Sequence, residues 1–203
     1  MGNNQTGVDA NACDAKVTIK NSSPYKLFLS NYGHACGYYS YEPTTAFVDN
    51  DDKARFPMYS KVMKPGAEDY FVHKEDEKGK VWKTVGNVAS LGIAMSVLQC
   101  RVEGYVSVDI FDCRGETPLF KGTAVFCYYN PKTRSRNHIG AEIRGRGTSV
   151  VPDVIQIATT AHCGTDRDAL TSHMESQTDF PDLVVKCSCN NNEKFEFEVF
   201  QGV

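Results

Sequence analysis

The chain has 203 residues, 41% of them hydrophobic, and a formal net charge of only −3. That length supports one domain with a buried core and no need of covalent staples, and the near-balance of charge excludes a global field directed at nucleic acid. No stretch approaches the roughly 20 apolar residues of a membrane-spanning helix. The start, MGNNQTGVDANACDAK, is polar and lacks the basic and apolar regions of a signal peptide. Residues 1–15 therefore read as a flexible lead, and 16–203 as a single domain.

Val17–Lys20 alternates apolar and polar residues, the pattern of a half-buried strand. Asn21-Ser-Ser-Pro24 is turn chemistry. Tyr25–Tyr32 alternates again, with Leu27 and Leu29 on one face, and an aromatic-rich loop Cys36–Pro43 follows. Lys64-Pro-Gly66 is a turn, Tyr70–His73 begins a strand, and the charged run Lys74–Lys80 reads as a hairpin tip. Residues 81–100 carry no charge between Lys83 and Arg101. Ala89, Leu91, Ile93, Met95 and Val97 fall at every second position, with small residues between them. Period two indicates a strand; such a composition also suits a segment that leaves the protein for lipid.

Gly104–Phe111 and Leu119–Tyr129 are further strands, the second with Phe120, Gly122, Ala124 and Phe126 on one face. A polar loop leads into a strand at His138–Ile143. Asp166–Met174 reads as a short helix, and Leu183–Cys187 pairs with Phe195–Phe200 across Asn190–Asn192. Many short strands at this spacing predict an all-β, two-sheet β-sandwich with one short helix.

Eight cysteines and the sequons Asn4-Gln-Thr and Asn21-Ser-Ser fit a secreted protein with disulfides. The pairing stays open, and buried thiols are the alternative. Three constellations carry chemistry. The first is the loop Tyr128–Asn137, whose Lys132, Arg134 and Arg136 alternate beside Tyr128 and Tyr129, with Arg144 and Arg146 following. Cations next to amphipathic rings suit an anionic lipid surface, and a solvated hairpin end has the same composition. The second is the cluster Tyr32, Tyr38, Tyr39 and Tyr41, a binding loop or sandwich-edge packing. The third, His162, Cys163, His173, Cys187 and Cys189, has a Cys-x-Cys spacing poor for a metal. His73, His138 and Cys163 are scattered, and no nucleophile elbow or phosphate loop occurs. The expectation is a protein that is not an enzyme and needs neither cofactor nor metal.

Several segments carry a family resemblance. Asn21-Ser-Ser-Pro-Tyr-Lys-Leu27 resembles the Asn-Glu-Ser-Gly-Tyr-x-Leu stretch of actinoporins. Lys64-Pro-Gly66 with Tyr70–Lys74 is similar to their Pro-Pro-Gly turn and the strand ending in Thr-Lys, and Gly104–Ile110 to their Gly-Val-Leu-Thr-Tyr-Asp-Ile strand. Phe126–Ile143 has the length and position of their lipid-facing loop; Phe126–Asn137 is also similar to a Tyr-Trp-Asp-Cys-Pro-Trp-Gly-Ser-Lys-Thr-Asn loop of aegerolysins. The similarity spans about residues 15–145.

It implies an actinoporin/aegerolysin-like β-sandwich that binds membrane lipid headgroups, anionic lipid or sphingolipid. The implied contact residues are Tyr128, Tyr129, Lys132, Arg134 and Arg136, with Tyr38, Tyr39 and Tyr41 as neighbours. A pore-forming toxin, or the component that recruits one, is the finer expectation, with a homo-oligomer or a protein partner on the membrane. The loop aromatics of actinoporins fall on Arg134, Ser135 and His138. Cations do not supply the π-faces of a choline cage, so the loop's location carries over and a phosphocholine ligand does not follow. The alternative is a secreted lectin-like or protein-interaction module, a defence protein or effector without membrane activity.

Overall fold

The computed structural model describes residues 14–75, 100–131, 137–145, 152, 157–158, 170–175, 183–189 and 194–202. Twelve strands are present among them: β1 (Asp14–Asn21), β2 (Lys26–Cys36), β3 (Tyr38–Tyr41), β4 (Val48–Asp49), β5 (Lys61–Met63), β6 (Glu68–Lys74), β7 (Cys100–Asp112), β8 (Leu119–Pro131), β9 (His138–Arg144), β10 (Leu170–Glu175), β11 (Leu183–Cys189) and β12 (Lys194–Gln201). They form two six-stranded sheets. Sheet A has the order β10-β11-β12-β1-β6-β3, and sheet B the order β4-β5-β2-β7-β8-β9. β1 runs parallel to β12; the other pairs are antiparallel.

Alternation builds the core. Ala15, Val17 and Ile19 of β1 and Phe195, Phe197 and Val199 of β12 point inward from sheet A. Leu27, Val106, Val108, Ile110, Ala124, Phe126 and Ile139 meet them from sheet B. All are buried, and each such side chain contributes on the order of 1.5–3 kcal/mol on leaving water. Leu27 and Leu29 share the inner face as expected, Leu29 at its fringe. The opposite face of sheet B carries two small clusters. Phe28, Phe56, Val62 and Phe111 form one, with the Phe28 and Phe56 rings stacked 4.3 Å apart. Tyr105, Val125, Cys127 and Ala158 form the other.

Four expectations are corrected. Leu170–Met174, the described part of the helix expected over Asp166–Met174, belongs instead to strand β10, paired antiparallel to β11 from Leu170↔Cys189 to Glu175↔Val184. A ready ladder partner overrides a weak local helix preference. Tyr38–Tyr41, read as loop, is the edge strand of sheet A. Phe120 does not share a face with Ala124 and Phe126. The register with β7 slips between Ile110 and Phe111, inserting one residue opposite them, so Phe120 joins the Phe111 cluster on the outer side. β1 begins at Asp14, ahead of the expected domain start at residue 16.

One of the two sequons is internal. Asn21 is fully buried, and its Nδ2, the atom that would carry a glycan, donates to Tyr25 O at 2.8 Å and Met63 O at 3.4 Å. Its Oδ1 accepts from the Ser23 N–H and hydroxyl. The sequon is an internal turn brace. Cys113 and Cys127 are free thiols, and Cys189 Sγ donates to Asn137 O at 3.8 Å, so these three show no disulfide framework. Asn4, Cys13 and Cys163 lie outside the described residues.

Candidate functional site

The strand ends at Cys36, Tyr38, Lys74, Cys100, Pro131 and His138 gather at one end of the sandwich: Tyr38 pairs with Lys74, Cys36 with Glu103, Cys100 with Pro131 and Tyr129 with His138. The two tyrosine-bearing segments of the sequence reading therefore meet. Tyr39 of β3 and Tyr128 of β8 come from opposite sheets, and the Tyr128 hydroxyl donates to the Tyr39 hydroxyl at 3.5 Å.

That contact belongs to a polar chain through the core. Tyr39 Oη donates to Gly33 O at 2.8 Å. His73 Nδ1 lies 2.9 Å from Tyr128 Oη. Which of the two donates is set by the imidazole tautomer. Nε2 has no side-chain partner among the described residues. Burial, then the nearby charge of His34, lowers the His73 pKa from 6.5 to about 3, against a small opposing effect of the Cys36 backbone. Burial raises Tyr39 to about 12 and Tyr128 well above its ordinary value. The chain is neutral and structural in character: sheet A, sheet B, sheet A and sheet B in turn.

Glycines make room for it. Gly104 pairs with Tyr128 across β7 and β8, and a Cβ there would run into the Tyr128 hydroxyl. Gly37 has φ +88, and a Cβ would lie 2.5 Å from Lys74 O and 2.7 Å from His73 Nε2. Only glycine satisfies both the left-handed backbone and the contact.

The sequence-predicted residues separate sharply. Tyr128 is 0% exposed; it is a core residue, and its expected place at a lipid headgroup is corrected. Its ring packs against Phe71 and Phe195. Tyr129 is half-buried and stacks on His138 at 5.8 Å. Tyr39 is half-buried beneath the surface, against His73 and His34. Tyr32 is half-buried too, donating to Glu42 at 3.3 Å. Tyr38 and Tyr41 are the exposed pair, at 44% and 59%. Lys132, Arg134 and Arg136 lie outside the described residues. Arg144, of the same basic run, is directed at Glu142, 2.8 Å away. Asp109 faces outward from sheet B and accepts from Tyr59 at 2.6 Å and Thr123 at 2.5 Å.

Two residues missed in the sequence reading stand beside the exposed pair. Tyr70 is 44% exposed, and Lys16 Nζ sits 3.9 Å over its ring. Alternation against Val17 and Phe71 was the signal for both.

No family model and no curated protein matches the chain. Among solved structures, the chain is similar to the lipid-binding protein Nakanori, with a TM-score of 0.54, 13% identity, and coverage of 97% of this chain and 73% of that one. A second similarity, to IP-1A from Alcaligenes faecalis, has a TM-score of 0.35 and 8% identity over 96% of this chain and 94% of that one; nothing rests on it. The two-sheet sandwich expected of an actinoporin/aegerolysin-like protein is thus the architecture found, and it is shared with Nakanori.

Proposed function

We propose that this chain is a secreted, non-enzymatic protein that binds membrane lipid headgroups with the end of the sandwich around β3. The observation that carries the reading is the exposure of Tyr38 and Tyr41 on an edge strand that is tied through Tyr39 to Tyr128, the strand leading into the basic loop. Tyrosine rings with one wet and one apolar end suit the headgroup level. Lys132, Arg134 and Arg136 would meet lipid phosphate, each contributing on the order of 1 kcal/mol. A fold shared with a lipid-binding protein supports the reading by analogy. Secretion is carried over from the count of eight cysteines and from the Asn4-Gln-Thr sequon, which lies outside the described residues. An aegerolysin-type role as pore former or recruiting component, with a homo-oligomer or protein partner, would be built on the same contact.

Liposome flotation tests it. The protein is expected to float with vesicles containing anionic lipid or sphingolipid, and a Tyr38→Ser/Tyr41→Ser variant to be left behind. If neither vesicle retains the parent protein, the reading fails, and sugar binding on a glycan array would put the lectin-like alternative in its place. Dye release from the same vesicles separates pore formation from binding.

A further inference from the structure

Val17 and Phe71 are buried and paired across β1 and β6, so their neighbours Lys16, Tyr70 and Val72 point away from the core. Register continues this outward row onto β3: Lys16 pairs with Val72, Val72 with Tyr41, and Lys74 with Tyr38. Tyr38, Tyr41 and Tyr70 are 44%, 59% and 44% exposed. Rings of this size are rarely grouped in the open on a sheet face without a partner. None of the three hydroxyls is taken up by a hydrogen bond within the described residues.

Lys16 decides what such a surface attracts. Its ammonium rests 3.9 Å over the Tyr70 ring, which holds the charge in place, and it forms no ion pair among the described residues. The next lysine along β1 differs: Lys20 is paired with Glu198 at 3.0 Å. The Tyr70 ring face is thereby closed to a ligand's quaternary ammonium, because a cation of the protein already occupies it. An ammonium resting on one phenol, with two further exposed phenols in the same outward row, offers positive charge and hydrogen bonds to phosphate oxygens instead.

Resting on the lipid reading above, we propose that Lys16, Tyr70, Tyr41 and Tyr38 form one headgroup face on sheet A that selects anionic phospholipid surfaces over phosphatidylcholine. Lys16 supplies the charge, Tyr70 positions it, and Tyr41 and Tyr38 seat at the headgroup level.

The test compares vesicles of phosphatidylcholine alone with vesicles containing phosphatidylserine, using the parent chain, Lys16→Gln, Tyr70→Leu and the control Lys53→Gln, on an exposed loop residue far from β1 in the chain. Retention is expected on the phosphatidylserine vesicles only, with about fivefold weaker binding for Lys16→Gln and no change for Lys53→Gln. Tyr70→Leu is expected to weaken binding although Lys16 remains, since the charge is no longer held. Lys16 and Tyr70 are exposed, so both variants should retain the parent's thermal midpoint. If vesicles retain the parent while Lys16→Gln binds as well as the parent, or phosphatidylcholine is retained equally, this inference fails and the general lipid reading survives. If neither vesicle retains the protein, this inference fails, and it takes the general lipid reading with it only when sphingolipid vesicles leave the protein behind as well. If free phosphoserine at millimolar concentration abolishes retention, a soluble-phosphate site replaces the membrane face and the inference is overturned.

Discussion

His73 Nδ1 and the Tyr128 hydroxyl meet 2.9 Å apart between the two sheets, both side chains buried. The Tyr128 hydroxyl donates onward to Tyr39. Burial favours the neutral imidazole there.

The first prediction is a loss of stability in acid. The folded state holds the His73 pKa at about 3, below its ordinary 6.5. Between those values the unfolded chain binds the proton and the folded chain does not, so stability rises with pH through the window and falls on acidification. At about pH 4.5 this one group costs on the order of 2–3 kcal/mol relative to neutral pH. Urea midpoints at pH 7 and 4.5 measure it. His73→Gln, which keeps a donor for Tyr128 and cannot titrate, should show a shallower fall; an equal fall in both proteins would assign the acid sensitivity elsewhere.

The second prediction separates a core tyrosine from a surface one. Tyr128→Phe removes the hydrogen-bond partner of His73 Nδ1 and leaves that ring nitrogen buried and unpaired, at a cost of about 1–3 kcal/mol. Vesicle retention should stay at the parent level, because the ring never reaches the surface. Tyr41→Ser should do the reverse, with little change in stability and weakened retention. Flotation and denaturation of the two variants side by side give the comparison.

Much of the fold was legible because alternation is a physical requirement of a sheet buried on one side. Val17 and Ile19 are inside for that reason, and so are Leu27, Phe126 and Phe197. The failures have specific causes. The one-residue bulge opposite Ile110 and Phe111 reverses the side on which Phe120 emerges, and nothing local to Phe120 signals it. β3 looked like a loop because its tyrosines suit both settings and Gly37 punctuates the run. Tyr128 and Tyr129 are adjacent and chemically identical. Which one is buried depends on strand parity, and parity places Tyr128 opposite Gly104 and against the core. The basic residues 132–136 could be found from composition, whereas the Lys16–Tyr70 pair required knowing that β1 and β6 are neighbours.

The third prediction compares two glycines with left-handed backbones. Gly66 has φ +77 and open space around a would-be Cβ, while Gly37 has φ +88 and two atoms in the way. Gly66→Ala should cost only the backbone term, roughly 1–2 kcal/mol. Gly37→Ala adds a steric clash with Lys74 O and His73 Nε2 and should exceed about 3 kcal/mol. Thermal or urea denaturation ranks them, and equal costs would mean that the His73 side of the turn yields easily.

The last prediction concerns Asn21. Expressed through a glycosylating secretory route, the folded protein should carry no glycan at this sequon, because Nδ2 is engaged with Tyr25 O and Met63 O inside the turn. Mass spectrometry of the peptide containing Asn21 reads this directly. Attachment before folding would take one of the two Nδ2 hydrogens and put a glycan where the buried amide must sit, so any glycosylated fraction should be unstable and retained by the cell. Asn21→Ala tests the brace itself. It leaves two carbonyls and the Ser23 donors without their partner, and a loss on the order of 2–4 kcal/mol is expected. Asn21→Asp is the sharper control: it keeps the acceptor for Ser23 but places a carboxylate against Tyr25 O and Met63 O, and it should be no better than alanine at neutral pH. A stable Asn21→Asp variant would show that the Ser23 half of the turn, rather than the buried amide, holds β1 to β2.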